Sequence, residues 1–138
     1  MTGIADEVGR AYRAYARGEI VELLDMLDPD VELHEEPEIP DSEVRRGRDA
    51  VAGYFTDTAE RWSRFSIDIT GIEEVDDAIV VVRGVMSAAG ALSGAQATAS
   101  FTHVIEFRDG KATRIRFFFD EQQALEAARA AAGDKLTS

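Results

Sequence analysis

The sequence predicts an α+β fold in which helices cover one concave face of a curled antiparallel sheet. Three observations lead there: apolar residues at helical spacing in the first half of the chain, four strand-like segments in succession between about residues 66 and 119, and the length of two of those segments. Both exceed the usual five or six residues, and long twisted strands curl rather than lie flat. The chain has 138 residues and 45% apolar content, so residues 1–138 are expected to form a single domain, with no internal repeat or linker.

Ile4, Val8, Ala11, Tyr12 and Tyr15 mark a first helix, with Gly18 where a C-cap would end it. Ile20, Leu23, Leu24 and Leu27 mark a second, short helix, which Pro29 stops and turns. Val31, Leu33 and Glu35 then alternate with Glu32, His34 and Glu36, a short strand that enters an acidic, proline-bearing and solvated loop from Glu36 to Glu43. From Gly47 to about Phe65, Val51, Tyr54, Phe55, Thr58, Ala59 and Trp62 form one stripe of an amphipathic helix whose aromatics need a surface to cover.

Strands are expected at about 66–75, 78–90, 95–107 and 112–119, joined by turns at Asp76-Asp77 and at Asp109-Gly110, where glycine tolerates positive φ. Three hairpins in succession make a meander. The apolar phase slips at Gly71, between Ile69 and Ile72, as a bulge would cause, and Gly84 is a second bend point. An alanine-rich helix over Glu121–Ala132, with Leu125 and Ala128 on its apolar stripe, closes the order.

Composition excludes several functions. With 15 basic and 27 acidic residues the formal charge is −12, and such a field repels phosphate backbones and anionic lipid alike, so neither nucleic acid nor membrane is an expected partner. The absence of cysteine removes disulfides, thiolate nucleophiles and Cys-ligated zinc, and is compatible with a cytoplasmic protein. The first twenty residues lack a cationic region followed by an unbroken apolar stretch, so no signal peptide or membrane anchor is expected there. No GxGxxG, GxxxxGK[ST] or GxSxG occurs, and His34-Glu35-Glu36-Pro37-Glu38 lacks the second histidine of HExxH. No cofactor and no metal are expected.

Strand parity then asks which ionisable groups sit in phase with core residues, since a buried polar group without a partner costs a few kcal/mol. On the third strand of the meander His103 shares a face with Ala99, Phe101, Ile105 and Phe107, while Thr98, Ser100, Thr102, Val104 and Glu106 face the other way. Ile115, Phe117 and Phe119 on the last strand, and Val80, Val82 and Met86 before it, point inward; Arg83, Arg114, Arg116 and Phe118 point outward. Glu35 is in phase with Val31 and Leu33, at the mouth of the concavity, and His34 is out of phase and exposed.

Each of these has a plain alternative. His103 is either a core histidine bonded to backbone or a pocket-lining group, and Glu35 is either a pocket carboxylate or part of a solvated acidic rim. Tyr15, Tyr54 and Trp62 are core aromatics or aromatics that show a polar tip to a cavity. Val81, Val85, Val104 and Phe118 on the outer face suggest a homodimer through the sheet.

The order of elements, with Tyr12 to Gly18 closing the first helix, Asp28-Pro29-Asp30-Val31-Glu32-Leu33 leading into the first strand, Gly47-Arg48-Asp49-Ala50-Val51 opening the third helix and Phe117-Phe118-Phe119-Asp120 closing the sheet, resembles the nuclear transport factor 2-like (NTF2-like) superfamily over roughly residues 5 to 130. Its SnoaL-like and ketosteroid-isomerase-like branch is nearest. The resemblance implies a cone-shaped roll, also called cystatin-like: a curved sheet wrapped around a long helix, a ligand cavity between them, and a dimer on the outer face. It also implies that Glu35 stands at the position of the general-base carboxylate, His103 at that of the oxyanion-binding acid, and Tyr54 at that of a lining aromatic. Ala11 stands where that branch carries its hydrogen-bonding tyrosine, with Tyr15 one turn on as the stand-in. The outward parity of Arg83, Arg114 and Arg116 does not match the Asp-Arg-Asp set of the epoxide-hydrolase branch.

Two functions are therefore expected. One is a cofactor-independent isomerase, cyclase or hydrolase acting on a small apolar carbonyl compound, with Glu35 and His103 catalytic and Tyr15, Tyr54, Trp62, Phe101, Phe117 and Phe119 lining the site. The other is a ligand-binding or dimeric assembly domain with the same fold and an inert apolar pocket.

Overall fold

Alternation along the strands sorts their side chains onto two faces, and helices pack on both. The computed structural model describes residues 3–17, 19–35, 44–76, 78–90 and 96–137; over 58–67, 88–90, 96–97 and 134–137 it describes the backbone only. The order is α1 (Ile4–Ala16), α2 (Val21–Asp25), β1 (Leu27–His34), β2 (Val44–Arg46), α3 (Arg48–Arg61), β3 (Trp62–Asp76), β4 (Ile79–Gly90), β5 (Gln96–Arg108), β6 (Lys111–Phe118) and α4 (Glu121–Thr137). The described strands form one sheet in the order β2-β1-β6-β5-β4-β3, antiparallel except that β1 runs parallel to β6.

The meander follows the sequence expectation closely. Asp109 and Gly110 both take positive φ, 54° and 79°, in the two-residue turn between Arg108 and Lys111, the geometry that matches the twist of a hairpin. The β3–β4 register shifts between Ile69 and Gly71, where the apolar phase slips. Gly84 faces Phe101 across β4 and β5, and a Cβ there would lie 2.6 Å from the Phe101 ring and 2.8 Å from the Asp68 carbonyl oxygen. Only a residue without a side chain lets that ring lie flat across the strand.

Five local expectations are corrected. Pro29 does not end an element: it lies inside β1, within the stretch between Leu27 and Glu32 where pairing with β6 slips, because proline has no N–H to give to a ladder. β2, three residues long, gives too short a pattern to read from sequence. The third helix stops at Arg61, since Trp62 opens β3 opposite Gly90 and cross-strand pairing takes residues 62–65 out of the helix. His34 is half-buried rather than exposed and pairs with Glu32 at 3.0 Å. The loop from 36 to 43, the cap at Gly18 and the side chain of Trp62 lie outside the described residues.

The fifth concerns layering. Val80, Val82, Phe101, Ile105, Phe107 and Ile115 pack under α1, α2 and α3, with Val8, Tyr12, Leu23, Val51 and Phe55 on the helix side. Fully buried side chains such as Leu33, Ile105 and Ile115 each contribute about 1.5–3 kcal/mol. The opposite face is not left for a partner alone. Ile79, Val81, Val104 and Phe118 are covered by Ala124, Ala128 and Ala131 of α4, so much of the apolar surface that suggested a dimer is buried by the chain's own last helix. Arg83 pairs with Glu121 and Arg114 with Glu106 on that face, as parity predicts.

Candidate functional site

The site is built outward from His103. In the sheet it stands opposite Val82 on β4 and Phe117 on β6, and this register stacks the imidazole on the Phe117 ring at 3.9 Å between centroids, 18° from parallel. Phe101, two residues earlier on the same face, lies 4.5 Å away. From the helix layer Tyr12 brings its hydroxyl to 2.8 Å from His103 Nδ1. Both side chains are buried.

Burial sets the charge state of this pair. Desolvation pulls the His103 pKa down from 6.5 to about 3 and pushes the Tyr12 phenol well above its ordinary range, with Tyr15 adding to the latter. Near neutral pH both groups are therefore uncharged and share one hydrogen bond. With Tyr12 donating to Nδ1, the ring proton sits on Nε2 and makes that nitrogen a neutral donor; the other tautomer makes it an acceptor.

From Phe117 a line of aromatics runs toward solvent. Tyr54 on α3 lies 5.6 Å from Phe117, and Phe55 lies 6.1 Å from it. Arg45 on β2 holds its guanidinium 5.0 Å above the Tyr54 ring and its Nη2 3.8 Å from Glu35 Oε1. Glu35, directly after β1, has a side chain only 16% exposed, in keeping with its phase with Leu33. A connected set thus leads from buried Tyr12 and His103 through Phe117 and Tyr54 to Arg45 and Glu35.

The remaining expected residues divide. Phe101 and Phe117 touch His103. Tyr15 is buried, but its hydroxyl donates to the Phe55 carbonyl at 2.8 Å and ties α1 to α3; Tyr12, not Tyr15, meets His103. Phe119 follows the end of β6 and is 51% exposed. Two residues were missed by sequence reasoning, Tyr12 and Arg45. Tyr12 lay on the predicted apolar stripe of the first helix, so its signal was present; Arg45 sits on the unread strand β2.

Open grooves elsewhere involve none of these groups. One of about 460 Å³ between α1, α2 and the β5–β6 turn is lined by Glu7, Arg10, Glu22, Asp25 and Lys111, and one of about 500 Å³ lies between α1 and β3. Among the described residues no three His, Asp or Glu side chains are grouped to hold a metal ion, and no helix is long and apolar enough to cross a membrane.

A curved sheet with helices on its inner face and a hydrogen-bonded aromatic set beneath them defines an NTF2-like α+β protein. The chain belongs to the SnoaL-like domain family, whose model matches residues 8–115. Among solved structures it is similar to an NTF2-like protein of unknown function from Burkholderia pseudomallei, at 22% identity over 93% of this chain and 98% of that one, with a TM-score of 0.74. It is also similar to TerC co-crystallized with polyporic acid, at 22% identity, 92% and 98% coverage and a TM-score of 0.72. A third is a putative SnoaL-like polyketide cyclase from Jannaschia, at 16% identity, 91% and 90% coverage and a TM-score of 0.72. At these identities the likeness is one of fold. No curated protein matches the chain in sequence.

Proposed function

We propose that this protein binds a small, largely apolar carbonyl compound and transforms it without a cofactor, as an isomerase, cyclase or hydrolase. The observation that carries the reading is the buried 2.8 Å hydrogen bond between Tyr12 and His103 Nδ1, set among Phe101 and Phe117. A neutral imidazole with its proton on Nε2 donates to a substrate oxygen, and a preorganised donor in a low-dielectric setting stabilises charge that develops there. Its pKa of about 3 makes His103 a poor base near neutral pH, which leaves proton removal to Glu35. In the isomerase form of the proposal Glu35 takes a proton from the carbon beside the carbonyl, the electron pair moves to the oxygen under the His103 donor, and the proton returns to another carbon. Tyr54, Phe101 and Phe117, with Tyr15 and Phe119, line the ligand's apolar body in this reading.

The neighbours named for a polyketide cyclase and for polyporic acid fit a fold that takes small organic ligands. Cytoplasmic residence, and a homodimer through the outer face that α4 leaves uncovered, belong to the same proposal; sedimentation at the monomer mass removes the dimer.

A screen of dienones, small lactones and epoxides tests the chemistry. Glu35→Gln is expected to lower kcat on any active substrate by about 10²–10⁴-fold; an unchanged kcat rejects its role. The second reading, a binding module, is favoured by the packing of His103 between two phenyl rings with its Nδ1 already bonded. It prevails if no substrate turns over faster than in buffer while apolar probes still bind.

A further inference from the structure

Arg45 carries more donor capacity than its surroundings use. It stands opposite Leu33 in the β1–β2 register, on the face the helices cover, and its Nε is buried with no hydrogen-bond partner among the described residues. Its approach to Glu35 at 3.8 Å is an ion pair beyond hydrogen-bonding distance, and its contact with Tyr54 is a stack over the ring face, so neither gives Nε–H an acceptor. A buried N–H without an acceptor is destabilising, and a group that supplied one would be bound more tightly for it. Arg116 shares the orphan Nε, yet its Nη2 donates to the Ala127 carbonyl at 3.3 Å and lies 3.6 Å from Glu106 on the α4 face. Arg45 alone of the two sits at the half-buried outer end of the aromatic set.

We propose that Arg45 is a specificity-determining residue that binds an ionised oxygen of the ligand, so that the class of molecule this site takes is a planar conjugated carboxylate. The inference deepens the functional reading above and rests on it. A guanidinium presents Nε–H and Nη–H as a planar fork that matches the two oxygens of a carboxylate. Tyr54 and Phe117, next along the row, make the wall beside Arg45 aromatic, which suits a flat conjugated body. The chain's net charge of −12 repels anions at long range, so the preference comes from short-range contact with this one cation and not from steering. Glu35 approaches Nη2 without forming a hydrogen bond to it, and Nε–H on the same edge has no acceptor among the described residues.

Titration calorimetry with 2-naphthoate and its neutral counterpart 2-naphthamide tests this on the full chain. The protein is expected to bind the carboxylate at least tenfold more tightly than the amide. Arg45→Met is expected to bring the two within twofold of each other, and Arg45→Lys, which keeps the charge but loses the fork, to retain part of the preference. Equal affinity of the unaltered protein for both probes overturns the role of Arg45 while leaving the pocket in place. A tenfold preference that survives in Arg45→Met also overturns it. Binding of neither probe overturns this inference and the small-molecule reading together.

Discussion

The two faces of the sheet bury ionisable groups in opposite ways. Under α1–α3, His103 is sealed among aromatic rings and is kept neutral, with one hydrogen bond to Tyr12. Under α4, Arg83, Arg114, Arg116 and Glu106 pair with one another or with Glu121 at the margins of a core in which Ile79, Val81, Val104 and Phe118 meet the alanines of the helix. The second arrangement explains itself as structure: the small alanines of α4 let it lie close to the sheet, and the arginines pair with Glu106 or Glu121. The first puts an ionisable group on an otherwise apolar row, with Tyr12 bonded to its Nδ1. That asymmetry is the reason the proposed function is placed on the face under α1–α3.

The largest test of the contrast is acid. His103 has its pKa lowered by folding, from an ordinary 6.5 to about 3, so between those values the unfolded chain binds the extra proton. Its contribution is complete above about pH 6.5 and is lost as pH falls toward 3, at up to about 1.4 kcal/mol per pH unit. Urea denaturation at pH 7 and pH 4.5 is expected to show a steeper loss for the natural chain than for His103→Gln, which keeps a hydrogen-bonding group and cannot titrate; equal losses would place the histidine in contact with water.

Gly84→Ala comes next. The new Cβ would meet the Phe101 ring at 2.6 Å and the Asp68 carbonyl at 2.8 Å, backbone that cannot swing away, and a cost of about 1–3 kcal/mol is expected. Because Phe101 flanks His103, the imidazole NMR signals are expected to move as well. Tyr12→Phe, which leaves His103 Nδ1 buried without its partner, is expected to cost about 1–2 kcal/mol and to shift the same signals. On the other face Glu106→Gln is expected to cost about 1 kcal/mol or less, since its ion pairs with Arg114 and Arg116 are partly solvated, and to leave the His103 signals where they are. A change at His103 from Glu106→Gln would show that the two faces are coupled.

Much of this contrast is legible in the sequence alone. A strand's period of two is local, so the placement of His103 with Phe101 and Ile105, and of Arg83, Arg114 and Arg116 on the opposite side, followed from counting. So did the bulge at Gly71 and the turn at Asp109-Gly110. The choice between Tyr12 and Tyr15 was not readable. Successive residues on a helix point about 100° apart, both tyrosines lie on the buried stripe, and only the way α1 lies across the sheet decides which hydroxyl reaches His103 and which reaches the Phe55 carbonyl.

The chain by itself determined the faces: which side chains of each strand travel together, and that an imidazole travels with the apolar ones. Tertiary structure decided the partners. It set β1 alongside β6, brought a three-residue strand with Arg45 to the rim, and laid the last helix over Val81, Val104 and Phe118. Those outcomes depend on long-range docking of elements whose local patterns are compatible with several arrangements, and only the lowest in free energy for the whole chain selects among them.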